Sequence, residues 1–314
     1  PGLERKLPQD RRALRFNGLM DKPGKNLSEL IQLLRDRGLP VEPSEEVQLT
    51  RFLLDVNYYR ASGYWRYFQV APQLGDNTFK LGTTLNAILD AYDFDLGLRN
   101  ILLEGLSVFE IAFRSRFAYF YTQSLPEKSY LSRGTYIDSS VQTEDGNKSI
   151  VDLVLTAING DLQRSKEPFI ARHRNSQSTP PIWVAVEAMS MGTVSKMYQA
   201  LSKQDIRYEL ARSFDLRDPG IAESTFRSFT VLRNLCAHHA RIWNRVPEYP
   251  HPVLKVLRTE QDKSVYHRTP WAWIVSLSHL VDQINRNKSF SGTLFGYINR
   301  FPELHEGLKQ PHHR

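Results

Sequence analysis

The chain has 314 residues, of which 41% are hydrophobic and 24% charged, a composition typical of globular proteins with one or two domains. It contains no apolar run of about 18 residues, so we expect no transmembrane helix and no membrane partner. Its one cysteine, Cys236, excludes an internal disulfide framework. The N-terminal residues lack the apolar core of a signal peptide, and with the single cysteine this favours a cytoplasmic location.

The charge balance of the chain is basic, with a formal net charge of +7 at pH 7 and a pI of about 9.4. Such a balance favours a polyanionic partner such as nucleic acid. Residues 1–26 are polar and include Arg11, Arg12 and Arg15. We expect these residues to form an irregular arm that faces nucleic acid.

The region after this arm is predicted to form two helices and a short β-hairpin. Asn26 or Ser28 is placed to cap a helix whose apolar periodicity runs to Arg37. A second helix is predicted at residues 44–59. Aromatic and β-branched residues surround a turn within residues 64–81, which predicts the hairpin.

A long helical pattern follows at residues 84–122. Two acid–base pairs lie on it at a spacing of four residues, Asp95 with Arg99 and Glu110 with Arg114. Gly97 and Gly105 allow the helix to bend or another helix to approach closely.

The remaining chain is also predicted to be mainly helical. Residues 123–148 are rich in Ser, Thr, Gly and Asp and are expected to be irregular. Further helices are predicted at residues 150–172, 182–201 with a break near Gly192, 204–214, 223–244, 271–284 and 294–300. We therefore predict an all-α fold, with an N-terminal helical region at residues 1–83 and a helical domain at residues 84–314.

Residues 226–245, FRSFTVLRNLCAHHARIWNR, hold the densest set of chemically capable side chains. On one continuous helix, about 100° per residue would place five of them on one stripe: Arg227, Asn234, His238, Arg241 and Arg245. This stripe combines cations, an amide and an imidazole but has no carboxylate, which suits phosphate binding and proton transfer. The alternative is a solvated basic surface with a structural histidine.

The run from Arg233 to His238 fits an Arg-x4-His pattern with Asn234 after the arginine. It resembles the motif of the HEPN superfamily of helical ribonucleases. Further stretches make the chain similar to the Abi-like family of bacterial phage-defence proteins, related to AbiD and AbiF, over roughly residues 25–245. These stretches lie at residues 57–68, 79–103, 109–118, 180–198 and 232–245.

The resemblance implies an up-and-down HEPN-like helical bundle and a metal-independent endoribonuclease of a phage-defence or toxin–antitoxin system. Arg233 and His238 take the motif positions, and Asn234 takes the polar position beside the arginine. HEPN sites are usually composed of two motifs, and this chain has one good copy, so the resemblance implies a homodimer. No cofactor is expected.

The chemistry of the motif agrees with this reading. RNA supplies its own nucleophile, the 2′-hydroxyl, so a protein needs proton transfer and positive charge at the phosphate. Arg233 and His238 suit these roles, but about 140° separates them on an ideal helix. A two-fold axis between two such helices would bring the groups together. Six other residues are predicted to bind RNA: Arg227, His239, Arg241, Asn244, Arg245 and Arg114.

Other readings of the motif remain open. The chain could be a non-catalytic RNA-binding protein that complexes a small structured RNA, of an antitoxin or guide-like kind. His239, at Arg-x5-His spacing, is a rival to His238 and is ranked second. A metal site on these two histidines is disfavoured, because adjacent side chains point apart on a helix and no carboxylate lies nearby in the sequence.

Overall fold

The computed structural model describes residues 24–143 and 146–312. These residues form thirteen α-helices and two small antiparallel sheets, which confirms the predicted all-α class. None of the helices in this part of the chain is long and apolar enough to cross a bilayer. The predicted basic arm lies outside the described residues, except for residues 24–26.

The chain divides into two compact units, one ending at Leu89 and the other beginning at Asp90. The first unit contains α1 (Leu27–Asp36), α2 (Glu46–Val56), α3 (Tyr58–Trp65), β1 (Gln69–Ala71), β2 (Asp76–Phe79) and the start of α4 (Leu85–Thr122). The expected cap of α1 is present, because the Asn26 side chain accepts the Glu29 N–H at 2.9 Å. The Glu29 carboxylate in turn accepts the Asn26 N–H at 2.7 Å, which completes a capping box.

The predicted second helix is interrupted at Asn57, whose φ of 67° ends α2. The Asn57 side chain then accepts the Tyr59 N–H at 2.9 Å and caps α3. Helix α3 takes up residues that were predicted to begin the β-hairpin, so the hairpin is shorter than expected. It pairs Gln69 with Phe79 and Ala71 with Asp76. A core of leucine, isoleucine and tryptophan side chains holds the unit together: Ile31, Leu34, Leu49, Leu53, Trp65 and Ile88.

The second unit continues α4 and adds the remaining elements. They are β3 (Ser140–Thr143), β4 (Gly146–Ser149), α5 (Ile150–Arg164), α6 (Pro168–Asn175), α7 (Ile182–Ala188), α8 (Met191–Ala200), α9 (Gln204–Ser213), α10 (Pro219–Ala237), α11 (Pro270–Asn285), α12 (Ser289–Ile298) and α13 (His305–Lys309). Strands β3 and β4 pair antiparallel where an irregular segment was predicted. The break predicted near Gly192 is confirmed, since Ser190 caps α8.

One predicted helix, at residues 150–172, is in fact two. Ser165 and Glu167 have extended backbones between α5 and α6, with ψ angles of 129° and 132°. Pro168 explains the second of these, because proline restricts the preceding residue to extended conformations while suiting the first turn of a new helix.

The two glycines of α4 allow a neighbouring helix to approach closely, as predicted. An ideal Cβ on Gly105 would lie 2.2 Å from Cζ of Phe290, and one on Gly97 would lie 2.2 Å from the Tyr297 hydroxyl. Both aromatic residues belong to α12. Helix α12 therefore packs against α4 at positions where only glycine leaves enough space.

Buried phenylalanines fix α10 against α4. The ring centroids of Phe113 and Phe226 are 4.4 Å apart, and those of Phe109 and Phe229 are 5.0 Å apart. All four side chains are fully buried. Because large aromatic contacts dominate core energetics, this cluster sets the position of α10, which carries the Arg-x4-His motif.

Candidate active site at the end of helix α10

Helix α10 ends earlier than the sequence predicted. It stops at Ala237, whereas the prediction extended it to Asn244. His239 has a left-handed backbone with φ of 57°. The Ala240 N–H bonds to the Leu235 carbonyl at 2.8 Å, and the His239 N–H bonds to the Cys236 carbonyl at 3.1 Å. These two bonds form a Schellman motif, which ends the helix without a glycine because histidine tolerates the left-handed region better than most residues.

The predicted single helical stripe is therefore wrong in its C-terminal half. Arg241 and Arg245 lie after the helix, so they are not in register with Asn234. Asn234 and His238 remain one turn apart, and the His238 N–H donates to the Asn234 carbonyl at 2.9 Å. Both side chains are exposed, as is Arg227 nearer the start of the helix.

Arg233 is held by a carboxylate from another helix. Its Nε donates to Oε2 of Glu110 on α4 at 3.3 Å, and its Nη1 reaches Oδ1 of Asn234 at 3.5 Å. The Arg233 side chain is 40% exposed, whereas that of Glu110 is 10% exposed. The guanidinium is thus oriented from its buried side and open on the other.

Glu110 also binds Arg114, which confirms the pair predicted along α4. One carboxylate therefore lies between two guanidinium groups, and the cluster keeps a net positive charge. Such a cluster is suited to a phosphate anion. The Arg114 side chain is only 19% exposed, so it adds positive charge to the cluster and has little surface open to a ligand.

Glu110 is the residue that sequence reasoning missed. The motif was read as lacking a nearby carboxylate, because Glu110 lies far from Arg233 in sequence. The available signal was an acidic residue between two large apolar residues, Phe109 and Ile111. A charge in such a position is rarely buried without a partner.

A second buried carboxylate, Asp95, anchors the segment that follows α10. It accepts the Ile242 N–H at 3.1 Å and the Trp243 N–H at 2.8 Å. It also binds Arg99, which confirms the other predicted pair; the two side chains are 0% and 3% exposed. The chain after the motif is therefore held to α4 through charge-assisted hydrogen bonds.

The residues of this segment differ in how accessible they are. Arg241 donates through Nη1 to the carbonyls of Trp243 at 2.8 Å and Asn244 at 2.6 Å. Arg245 is partly buried and donates to the Arg241 carbonyl at 3.2 Å. Burial lowers the Arg245 pKa, and the charge of Asp95 opposes that shift. Both arginines therefore support the local backbone as well as adding positive charge.

Asn244 does not face a surface. It is fully buried, its N–H donates to the Gly307 carbonyl at 2.9 Å, and its side-chain oxygen accepts the His312 N–H at 2.8 Å. We therefore do not retain Asn244 among the proposed RNA contacts. It holds the C-terminal residues against the segment after α10.

The two histidines at the end of α10 are both exposed. His238 occupies the C-cap position, while the left-handed backbone of His239 turns the chain away from the helix. Cys236 beside them is buried, and burial raises the pKa of its thiol to about 12. It is thus a small core residue and not a nucleophile near neutral pH.

Metal ligands are not grouped at this site or elsewhere in residues 24–143 and 146–312. No set of three or more His, Cys, Asp or Glu side chains there is arranged to hold a metal ion.

The chain matches the protein family described as "Abi-like protein" over residues 51–244. The matched residues include α4, α10 and the whole Arg-x4-His motif. No curated protein and no solved structure shows significant similarity to the chain. Because the family match covers more than half of its length, the chain belongs to the Abi-like protein family, and this membership implies a role in abortive infection, a form of phage defence.

Proposed function

We propose that the chain is a metal-independent endoribonuclease of HEPN type, which acts in phage defence through a composite site in a homodimer. The observation that carries this proposal is the cluster around Glu110. It orients the half-exposed Arg233 near the exposed Asn234 and His238 at the end of α10. An oriented cation and an accessible imidazole are the groups that phosphodiester transfer within RNA requires.

In the proposed reaction, His238 accepts the proton of the 2′-hydroxyl, and the 2′-oxygen attacks the adjacent phosphorus. The bond from phosphorus to the 5′-oxygen breaks, and a second imidazole donates a proton to that leaving oxygen. The products are a 2′,3′-cyclic phosphate and a 5′-hydroxyl. Arg233 stabilises the added negative charge on the phosphoryl oxygens as the bonds exchange.

Glu110 acts as a positioning residue in this proposal. It engages Nε of Arg233 and leaves N–H groups of both terminal nitrogens to bind phosphate. Asn234 contacts the same guanidinium and restricts it further. Arg227, Arg241 and Arg245 extend the positive charge along and beyond the helix, and these sites would bind the phosphates on either side.

The homodimer supplies the second imidazole. The chain has one good copy of the motif, and two copies facing each other across a two-fold axis would place two histidines at one phosphate. An exposed apolar side chain on α4 supports a covered face here, since Ile111, next to Glu110 in the sequence, is 69% exposed.

The test is cleavage of labelled RNA by the purified chain with a chelator present. We expect cleavage that falls about 10²–10³-fold in Arg233→Ala, the usual loss for a preorganised charge donor. His238→Ala should be at least as severe, and His239→Ala milder. RNA binding without cleavage, or cleavage that needs a divalent metal, would favour the non-catalytic RNA-binding function or another mechanism.

A further inference from the structure

A small cavity lies beside α10 on the N-terminal side of the motif and has no role in the proposed reaction. It has a volume of about 270 Å³. Its lining includes Ser224, Arg227 and Ser228 of α10, Glu248 and Tyr249 of the following segment, and Trp273 of α11. The volume is below the range of about 300–1,000 Å³ for pockets that hold drug-sized ligands, so one planar ring is a suitable occupant.

The cavity provides a stacking surface. The Arg227 guanidinium lies 4.7 Å from the centroid of the Tyr249 ring, and Tyr249 is 55% exposed. Aromatic rings and arginine planes together bind the faces of nucleobases, while the arginine charge favours the attached phosphate. A guanidinium over an exposed aromatic ring therefore fits single-stranded RNA better than an apolar ligand.

The cavity offers a ligand one hydrogen-bond donor and one hydrogen-bond acceptor. The Trp273 indole N–H donates to Oγ of Ser228 at 2.7 Å. Within the described part of the chain the Ser228 hydroxyl proton has no acceptor, so it can donate to a ligand. The exposed carboxylate of Glu248 can only accept. A donor and an acceptor together can bind the Watson–Crick edge of any base, because each base presents an acceptor beside an N–H donor.

The cavity lies on the same face of α10 as Asn234 of the motif. Arg227 precedes Asn234 by about two turns of α10, so their side chains share a face at a separation of about 10 Å along the axis. A short single-stranded segment spans this distance. A base in the cavity would therefore lie on the face of α10 that carries Asn234, within reach of the same RNA strand.

We propose that this cavity binds one unpaired base of RNA, stacked against Tyr249 and Arg227 and hydrogen-bonded to Ser228 and Glu248. The inference rests on the proposed function for its ligand class, because both concern the same RNA strand. Base binding does not require that the strand be cut, so the two proposals can fail separately.

The experiment uses the full chain carrying His238→Ala, which prevents turnover, and measures fluorescence anisotropy with a labelled single-stranded RNA and a labelled RNA duplex of equal length. Tyr249→Ala should weaken binding of the single strand about 5- to 150-fold, the range given by loss of one stacked base, whereas Tyr249→Phe should keep it. The matched control is Tyr208→Ala on α9, which removes a tyrosine of similar exposure, 50%, outside the cavity.

The bases of a duplex are already paired and stacked, so Tyr249→Ala should leave the affinity for the duplex unchanged. Equal weakening of both RNAs by Tyr249→Ala, or a loss no larger than that of Tyr208→Ala, would overturn the base site. Tyr249-dependent binding by a chain that never cleaves RNA would support this site and remove the ribonuclease proposal instead.

Discussion

Replacing Asp95 with alanine should destabilise the chain severely. The substitution leaves Arg99, only 3% exposed, without its carboxylate, and it removes the acceptor of two backbone N–H groups, those of Ile242 and Trp243. Breaking a buried ion pair from one side costs about 3–5 kcal/mol. Each orphaned buried donor adds about 1–3 kcal/mol, although such losses overlap. We therefore expect Asp95→Ala to lower the free energy of unfolding by about 4 kcal/mol or more.

The assay is urea unfolding followed by circular dichroism, with the stability change taken from the transition midpoint at unchanged slope. Asp152→Ala is the matched control, because it breaks the ion pair with Arg133 in which both side chains are 59% exposed. Such a surface pair contributes little to stability, because water and salt screen it. Asp95→Leu combined with Arg99→Leu removes the orphaned charge as well and should recover part of the loss. A loss in Asp95→Ala no larger than in Asp152→Ala would refute the anchoring role.

Three further perturbations test other features of the second unit. His251 is buried, and burial lowers its pKa from the usual 6.5 to about 3, so only the unfolded state takes up its proton as the pH falls below 6.5. The free energy of unfolding should therefore fall by about 2 kcal/mol between pH 8 and pH 5 and continue to fall to about pH 3. His251→Phe should lack this decrease, and an equal decrease in both proteins would contradict the assignment. Glu110→Gln should reduce RNA cleavage at least about 10-fold with a smaller effect on RNA affinity, as expected when a positioned transition-state contact is weakened; unchanged cleavage would exclude a positioning role. Gly105→Ala should cost about 1–3 kcal/mol in urea unfolding because of the clash with Phe290, and Gly296→Ala, where an added Cβ meets nothing within 4 Å, is its control; equal losses would contradict the close approach of α12.

Much of the fold could be predicted because the relevant signals are local. The apolar periodicity of α4 gave its bounds closely, and its two acid–base pairs follow from spacing alone. Capping at Asn26 and the break before α8 were also readable from single residues. Two misplaced boundaries depend on residues that adopt left-handed backbones without being glycine, whereas the missed break before α6 lies at Pro168. The sequence around Asn57 and His239 did not predict their left-handed backbones.

The candidate site was predictable in its residue types and less so in its arrangement. Arg233, Asn234 and His238 lie together in sequence, so a spacing pattern could find them. Glu110 reaches Arg233 across 123 residues, and only the packing of α10 on α4 shows it. Asn244 appeared accessible because a continuous helix was assumed, whereas the turn after Ala237 buries it.

The proposed attack by the 2′-hydroxyl of RNA, driven by Arg233 and His238, can be tested with one cleavable RNA and its site-specific deoxy analogue. Once the cut site is mapped, the purified chain is incubated with both RNAs in the presence of a chelator. We predict that the all-ribose RNA is cut to a 2′,3′-cyclic phosphate and a 5′-hydroxyl, and that a single 2′-deoxy nucleotide preceding the scissile phosphate abolishes the cut. Cleavage that survives both this substitution and His238→Ala would contradict the mechanism.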